Sequence, residues 1–176
     1  AILSSIGEYE QSIEIYSEVL AEYPTNAKAW MSYGHALKTA GHQEESIQAY
    51  RKSIELKPGL GETYWSLANL KTFRFSPSDL DAMRGQLRHG DLTDEDRYHF
   101  HFAIGKALED LRLYAESFEH YANGNRLRRA EIRYEAAETS AHVRRSKALF
   151  SRQFFVERAG VGAQAADPIF IVGLPR

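Results

Sequence analysis

Chemistry in this chain could arise at three places. His99 and His101 are two apart, so on a helix their imidazoles point in different directions, whereas helical metal pairs need a spacing of three or four. The chain has no cysteine and no His-Glu-x-x-His run. Disulfides, thiolate chemistry and Cys-based zinc sites are excluded, and no metal is assigned. The second place is a basic segment in which Arg126, Arg129 and Arg133 are followed by Arg144, Arg145 and Lys147. Such clusters bind phosphate. Here Glu131, Glu135 and Glu138 interrupt it and no aromatic is spaced to stack on bases, so the segment reads as a solvated face, or one turned to another domain, without nucleic acid. The third is Pro168-Ile169-Phe170-Ile171-Val172 running into Gly173-Leu174-Pro175-Arg176. A β-branched apolar run ending in Gly-x-Pro-Arg predicts a buried strand that enters a tight loop.

The elements that would position these residues follow a 34-residue echo. Gly7 returns as Gly41, Tyr16 as Tyr50 and Pro24 as Pro58, while Trp30 and Gly34 return in weaker form as Tyr64 and Ala68. Gly34, Leu37, Ser46 and Tyr50 recur 71 residues on as Gly105, Leu108, Ser117 and Tyr121, which is two steps plus three residues. A period in this range means stacked helical hairpins, none of which can bury its apolar face alone.

Local signals agree with that period. Ile13, Tyr16, Val19 and Leu20 lie on one side of a helix that Pro24 stops. Asn26 is placed to cap a helix over about 27–39, Gly41 turns the chain, and a second helix over about 44–56 ends before Pro58. Ser76, Pro77 and Asp79 open a further helix over about 77–88, and Thr93 with Asp96 forms another capping pair. Residues 126–159 stay helical outside the frame, with breaks expected near 133–137 and 150. Leu127, Ala130, Val143, Leu149, Phe150, Phe154 and Phe155 are the side chains expected to cap the last repeat. Gly160 and Gly162 begin a linker over 160–167.

Bulk properties narrow the function classes. An apolar content of 43% over 176 residues fits a globular chain. No apolar run approaches the roughly 20 residues of a membrane span, and no secretory leader is visible, so the expectation is a cytoplasmic protein without membrane contact. The net charge of −2 hides an asymmetry: residues 1–125 carry 12 Lys/Arg against 19 Asp/Glu, and residues 126–158 carry 9 against 4. An acidic array before a basic segment points to two different neighbours.

Within 27–60, Trp30, Tyr33, Gly34, Leu37, Ser46, Tyr50, Ser53 and Pro58 stand in the order and spacing that resembles the tetratricopeptide repeat. The small residues Gly34 and Ser46 would let the paired helices approach, with Trp30 and Tyr50 filling the seams between hairpins. The resemblance implies an all-α array: a partial repeat at 1–26, a repeat at 27–60, a degenerate one at 61–92, a fourth at 93–125, and capping helices at 126–159. It also implies a protein-interaction scaffold whose groove takes a protein or peptide. Carried over by position, the groove would show Lys28, Met31, His35 and Lys38, then Glu62, Trp65 and Asn69, then His99, Phe102 and Lys106. Trp65 could anchor a peptide or pack against the neighbouring hairpin. Some members clamp C-terminal carboxylates with lysine and asparagine. Met31 and His35 stand at the first such pair and only Asn69 matches, so that ligand is not expected. Open array ends would allow pairing with a second copy.

The Gly173-Leu174-Pro175-Arg176 segment resembles the opening of the 5′-phosphosulfate loop of sulfotransferases, where backbone N–H groups and a helix N-terminus surround an anion. That resemblance implies that Gly173, Pro175 and Arg176 belong to a site for 3′-phosphoadenosine-5′-phosphosulfate (PAPS), with Arg176 on the phosphosulfate. A repeat array, an irregular helical segment and such a strand together resemble bacterial fusions of these arrays to a sulfotransferase. The expectation is therefore a piece of a longer protein that transfers a sulfuryl group to a hydroxyl or amine, with the 126–158 segment facing that domain. The piece itself is expected to be non-catalytic and to hold no cofactor. Gly173 could instead open a nucleotide-binding Gly-x-x-x-x-Gly-Lys-Ser/Thr loop, and a pure adaptor is the third alternative.

Overall fold

Apolar residues three and four apart fold the described chain into helices, with no strand among the described residues. The structure, a computed structural model, describes residues 7–70 and 72–161. The strand expected at 168–176, with Gly173, Pro175 and Arg176, lies outside them. One unit, Ala1–Arg133, contains α1 (Tyr9–Glu22), α2 (Ala27–Ala40), α3 (Gln43–Leu56), α4 (Gly61–Ala68), α5 (Pro77–Arg88), α6 (Asp94–Asp110) and α7 (Tyr114–Glu131). A second, Tyr134–Arg176, contains α8 (Ala136–Leu149) and α9 (Arg152–Val156). No residue of α8 or α9 is buried. Val143, Leu149, Phe150 and Phe155, expected as capping side chains, are exposed. Within this unit the phenylalanines cluster with one another: Phe154 lies 5.3 Å from both Phe150 and Phe155, and Arg158 sits 3.9 Å over its ring.

The echo becomes a repeated joint. In α2, Gly34 faces the ring of Tyr50 from α3 so closely that a Cβ would lie 2.6 Å from it. In α6, Gly105 faces Tyr121 of α7 the same way, at 2.9 Å. Ser46 donates its hydroxyl to the Gly34 carbonyl at 3.0 Å, and Ser117 donates to Gly105 at 2.7 Å. The small residue admits the ring, and the serine satisfies a buried hydroxyl without adding bulk. Tyr50, fully buried, also touches the next hairpin through Leu60 and Leu67, so it fills the seam inside its own hairpin as well as the one between hairpins. Trp30 is half-buried, with its indole N–H donated to the Pro24 carbonyl at 2.8 Å.

The turns repeat as well. Asn26 caps α2 through the Ala29 N–H, at 3.0 Å. Gly7 and Gly41 both have φ +91°. At the α6–α7 turn, 71 residues after Gly41, the left-handed position is held by Arg112, at φ 61°.

The 61–92 stretch departs from the frame. Helix α4 ends at Ala68 after only 8 residues. Pro77 then requires an extended Ser76 (φ −74°, ψ 163°). Ser76 and Asp79 form a reciprocal capping box that starts α5. Asp79 also pairs with Arg51 of α3, through both terminal guanidinium nitrogens. Burial alone would raise the Asp79 carboxyl, but Arg51 and the Ser76 donors outweigh it and hold it below its ordinary value. Met83, Leu80, Phe100 and Ile104 join Tyr64 in the core that α4, α5 and α6 share.

Candidate functional site

Two helices can cross tightly only where a side chain is missing at the contact, and Gly61 supplies that gap. A Cβ there would lie 2.3 Å from the Asp96 carbonyl oxygen. The Gly61 N–H donates to Asp96 Oδ1 at 2.9 Å, while the other Asp96 oxygen accepts the Thr93 hydroxyl at 2.8 Å. Thr93 in turn accepts the Asp96 N–H at 3.0 Å. The Thr93–Asp96 pair expected to start α6 does so, and the Asp96 carboxylate also binds the free first turn of α4.

This crossing brings Glu62 and Trp65 of α4 opposite Glu95, Tyr98, His99 and Phe102 of α6, with Tyr121 and Arg128 of α7 completing a cleft of about 530 Å³. Trp65 and Phe102 meet with ring centroids 5.4 Å apart at 45°, and Tyr98 lies 6.1 Å from Phe102. Gly124 of α7 leaves room for Phe102, since a Cβ there would come within 2.8 Å of the ring. Arg128 lies 5.1 Å over Tyr98, donates to its hydroxyl at 3.0 Å and pairs with Glu131 at 3.0 Å. Burial, reinforced by Glu95, raises the Glu62 carboxyl above the usual range, with Lys28 pulling the other way. His99 is held below its ordinary value by burial, against the pull of Glu95 and Asp96, which keeps it neutral at neutral pH.

Glu62, Trp65, His99 and Phe102 are thus brought together. The other residues carried over to the groove are not. Met31 is a correction: it is 7% exposed, in a core cluster with Tyr50, Leu60 and Leu67, because the next hairpin covers that side of α2. His35 is half-buried, its Nε2 3.0 Å from the Ser66 hydroxyl and its ring edge-on to Tyr50. Lys28, Lys38 and Asn69 are exposed outside the cleft, and Lys106 is paired with Asp110. Trp65 packs on Phe102 of the neighbouring hairpin, and the same ring lines the opening of the cleft. Glu95 and Tyr98 were legible, standing seven and four before Phe102 on one helical face. Arg128 was not, because α7 continues past residue 125, where the repeat frame stops; Tyr121 was legible only as the ring of the joint with Gly105.

A second cluster links α6 to α7. His101 and His120 approach with Nδ1 to Nδ1 at 3.1 Å, so one ring donates to the other. Burial, then the neighbouring His120 and the arginines 126 and 97, push His101 down to about 4. Burial and Arg84 lower His120, against Glu116 and Glu119. A histidine whose value falls on folding stabilises the fold above its unfolded value, and that contribution disappears as pH falls from about 6.5 towards 4. With the pair half-exposed, we expect a loss of ~1–2 kcal/mol over that window after allowing for solvent screening. Denaturant titrations at pH 7 and 4.5 should show it, and His101→Gln should flatten the difference. An unchanged slope in that variant would refute the assignment.

Residues 27–60 match the family model for the tetratricopeptide repeat. Over 166 residues the chain is 20% identical to an uncharacterized protein of Aquifex aeolicus (strain VF5), covering 94% of this chain and 21% of that one. Over 58 residues it is 33% identical to small glutamine-rich tetratricopeptide repeat-containing protein 2 of Mycosarcoma maydis, covering 33% of this chain and 16% of that protein. It is 30% identical over 61 residues to the peroxisomal targeting signal receptor of Candida glabrata, covering 35% and 10%. The chain matches about a fifth or less of the length of these relatives. Among solved structures, the crystal structure of MamA shares the fold with a TM-score of 0.54 at 18% identity over 75% of each chain. The repeated Gly–Tyr joint, the helical hairpins and these matches converge on an all-α helical repeat array in which residues 27–60 match a tetratricopeptide repeat.

Proposed function

We propose that this domain is a protein-interaction scaffold that holds an extended segment of its partner in the cleft between α4, α6 and α7. The observation that carries the reading is the Trp65–Phe102 pair, two half-buried rings that remain on an open wall. Large rigid rings in a partly desolvated cleft supply contact area at low entropic cost, as binding hot spots do. The test is selection of dodecapeptides from a random displayed library on the full chain. Trp65→Ala should weaken the selected ligands roughly 10–30-fold. Ligands indifferent to Trp65→Ala, in a variant whose melting curve stays cooperative, would reject the cleft.

The finer reading is attachment to a PAPS-dependent sulfotransferase, with the array recruiting or orienting the acceptor. Its support is the Gly173-Leu174-Pro175-Arg176 run and its resemblance to a phosphosulfate loop. Sequence beyond Arg176 tests it directly: Ser-Gly-Thr-Thr supports it, Gly-Lys-Ser/Thr favours a nucleotide-binding domain, and further helical repeats favour a pure adaptor.

A further inference from the structure

The cleft carries negative charge that its own residues do not neutralise. Among the described residues the Glu62 carboxylate accepts no hydrogen bond and joins no ion pair, although the side chain is half-buried. Burial raises that carboxyl first, Glu95 and Asp96 push the same way, and only Lys28 opposes them. A carboxyl raised in this manner is an anion short of positive charge. Arg128, the cation on the cleft wall, is already engaged by Glu131 and by the Tyr98 hydroxyl and ring. Beside Glu62 on α4 stands Trp65 and across from them stand Phe102 and Tyr98, rings whose faces attract cations and whose area suits an alkyl stem. The repeat region as a whole has more acid than base, which draws a positively charged segment towards it.

We infer that the cleft receives a lysine or arginine side chain of the bound segment, its stem along Trp65 and Phe102 and its charged end beside Glu62 and Glu95. This rests on the reading of the cleft as a peptide site and adds the chemistry of the residue that fills it. An acidic or phosphorylated segment would set like charges against Glu62 and Glu95.

The peptides selected above decide the point. They should be enriched in Lys or Arg, and replacing the key residue by uncharged norleucine or citrulline should weaken binding at least tenfold. Glu62→Gln, which keeps the shape and removes the charge, should cost a similar factor. Combining it with the uncharged peptide should add little, since both remove one interaction. The Glu62→Gln/Glu95→Gln double variant covers substitution of one carboxylate for the other. Ligands that depend on Trp65 but ignore both the double variant and the loss of peptide charge would overturn this inference and leave the peptide site standing. Ligands indifferent to Trp65→Ala, or an empty selection, would overturn both.

Discussion

Gly61→Ala is expected to destabilise the array by about 3 kcal/mol, lowering its thermal midpoint by roughly 10 °C. In a helix an alanine is ordinarily the better residue by about 0.5–1 kcal/mol, so the expected sign is opposite to propensity. The reason is that the new Cβ would meet backbone, the Asp96 carbonyl at 2.3 Å, rather than a side chain that can swing aside. Relief requires α4 to move off α6, which also strains the Gly61 N–H bond to Asp96. Repeat arrays pass stability only between neighbours, so the helices before Gly61 should uncouple from α6 and α7, and denaturation should broaden or separate into two steps. Glu62 and Trp65 would move away from Tyr98 and Phe102, so ligands selected on the wild type should be lost with the crossing. A variant that melts at or above the wild-type temperature would show that α4 and α6 do not meet as described.

Tyr50→Ala should cost about 3–5 kcal/mol, the range for emptying a fully buried aromatic site. Its partner makes the result specific. Gly34→Ala alone should destabilise by about 1–2 kcal/mol, because its Cβ would lie 2.6 Å from the Tyr50 ring. In the Tyr50→Ala background the ring is gone, and the same substitution should stabilise by about 0.5–1 kcal/mol through helix propensity alone. Urea midpoints of the four proteins form a cycle whose coupling should therefore be large. Additive effects would mean that Gly34 and Tyr50 do not share a joint.

How much of this was legible depended on the range of the interaction responsible. Helix ends were read well because their causes lie within a few residues: the Asn26 cap, the left-handed Gly41 and the Ser76–Asp79 box all act locally. The hairpin joints were half legible. Spacing marked Gly34, Ser46 and Tyr50 as related, but the serine's bond to the glycine carbonyl appears only when the helices pair. Position-by-position transfer placed Met31 in the groove, and a neighbouring hairpin buried it. The same transfer put Trp65 and Phe102 on facing helices, and their rings do meet, because Trp65 precedes the break after Ala68 where the frame is lost.

What the residues alone determined is the class of fold, because apolar periodicity, caps and a 34-residue recurrence are written along the chain and need no distant partner. What tertiary structure decided is the cleft and its charge. Gly61 of α4, Asp96 of α6 and Arg128 of α7 are far apart in sequence, and their effects on one another exist only after packing sets the crossing distance. Whether a carboxylate such as Glu62 is satisfied is likewise a property of its surroundings: desolvation and the nearness of Glu95 and Asp96, only partly offset by Lys28, arise when the helices pack.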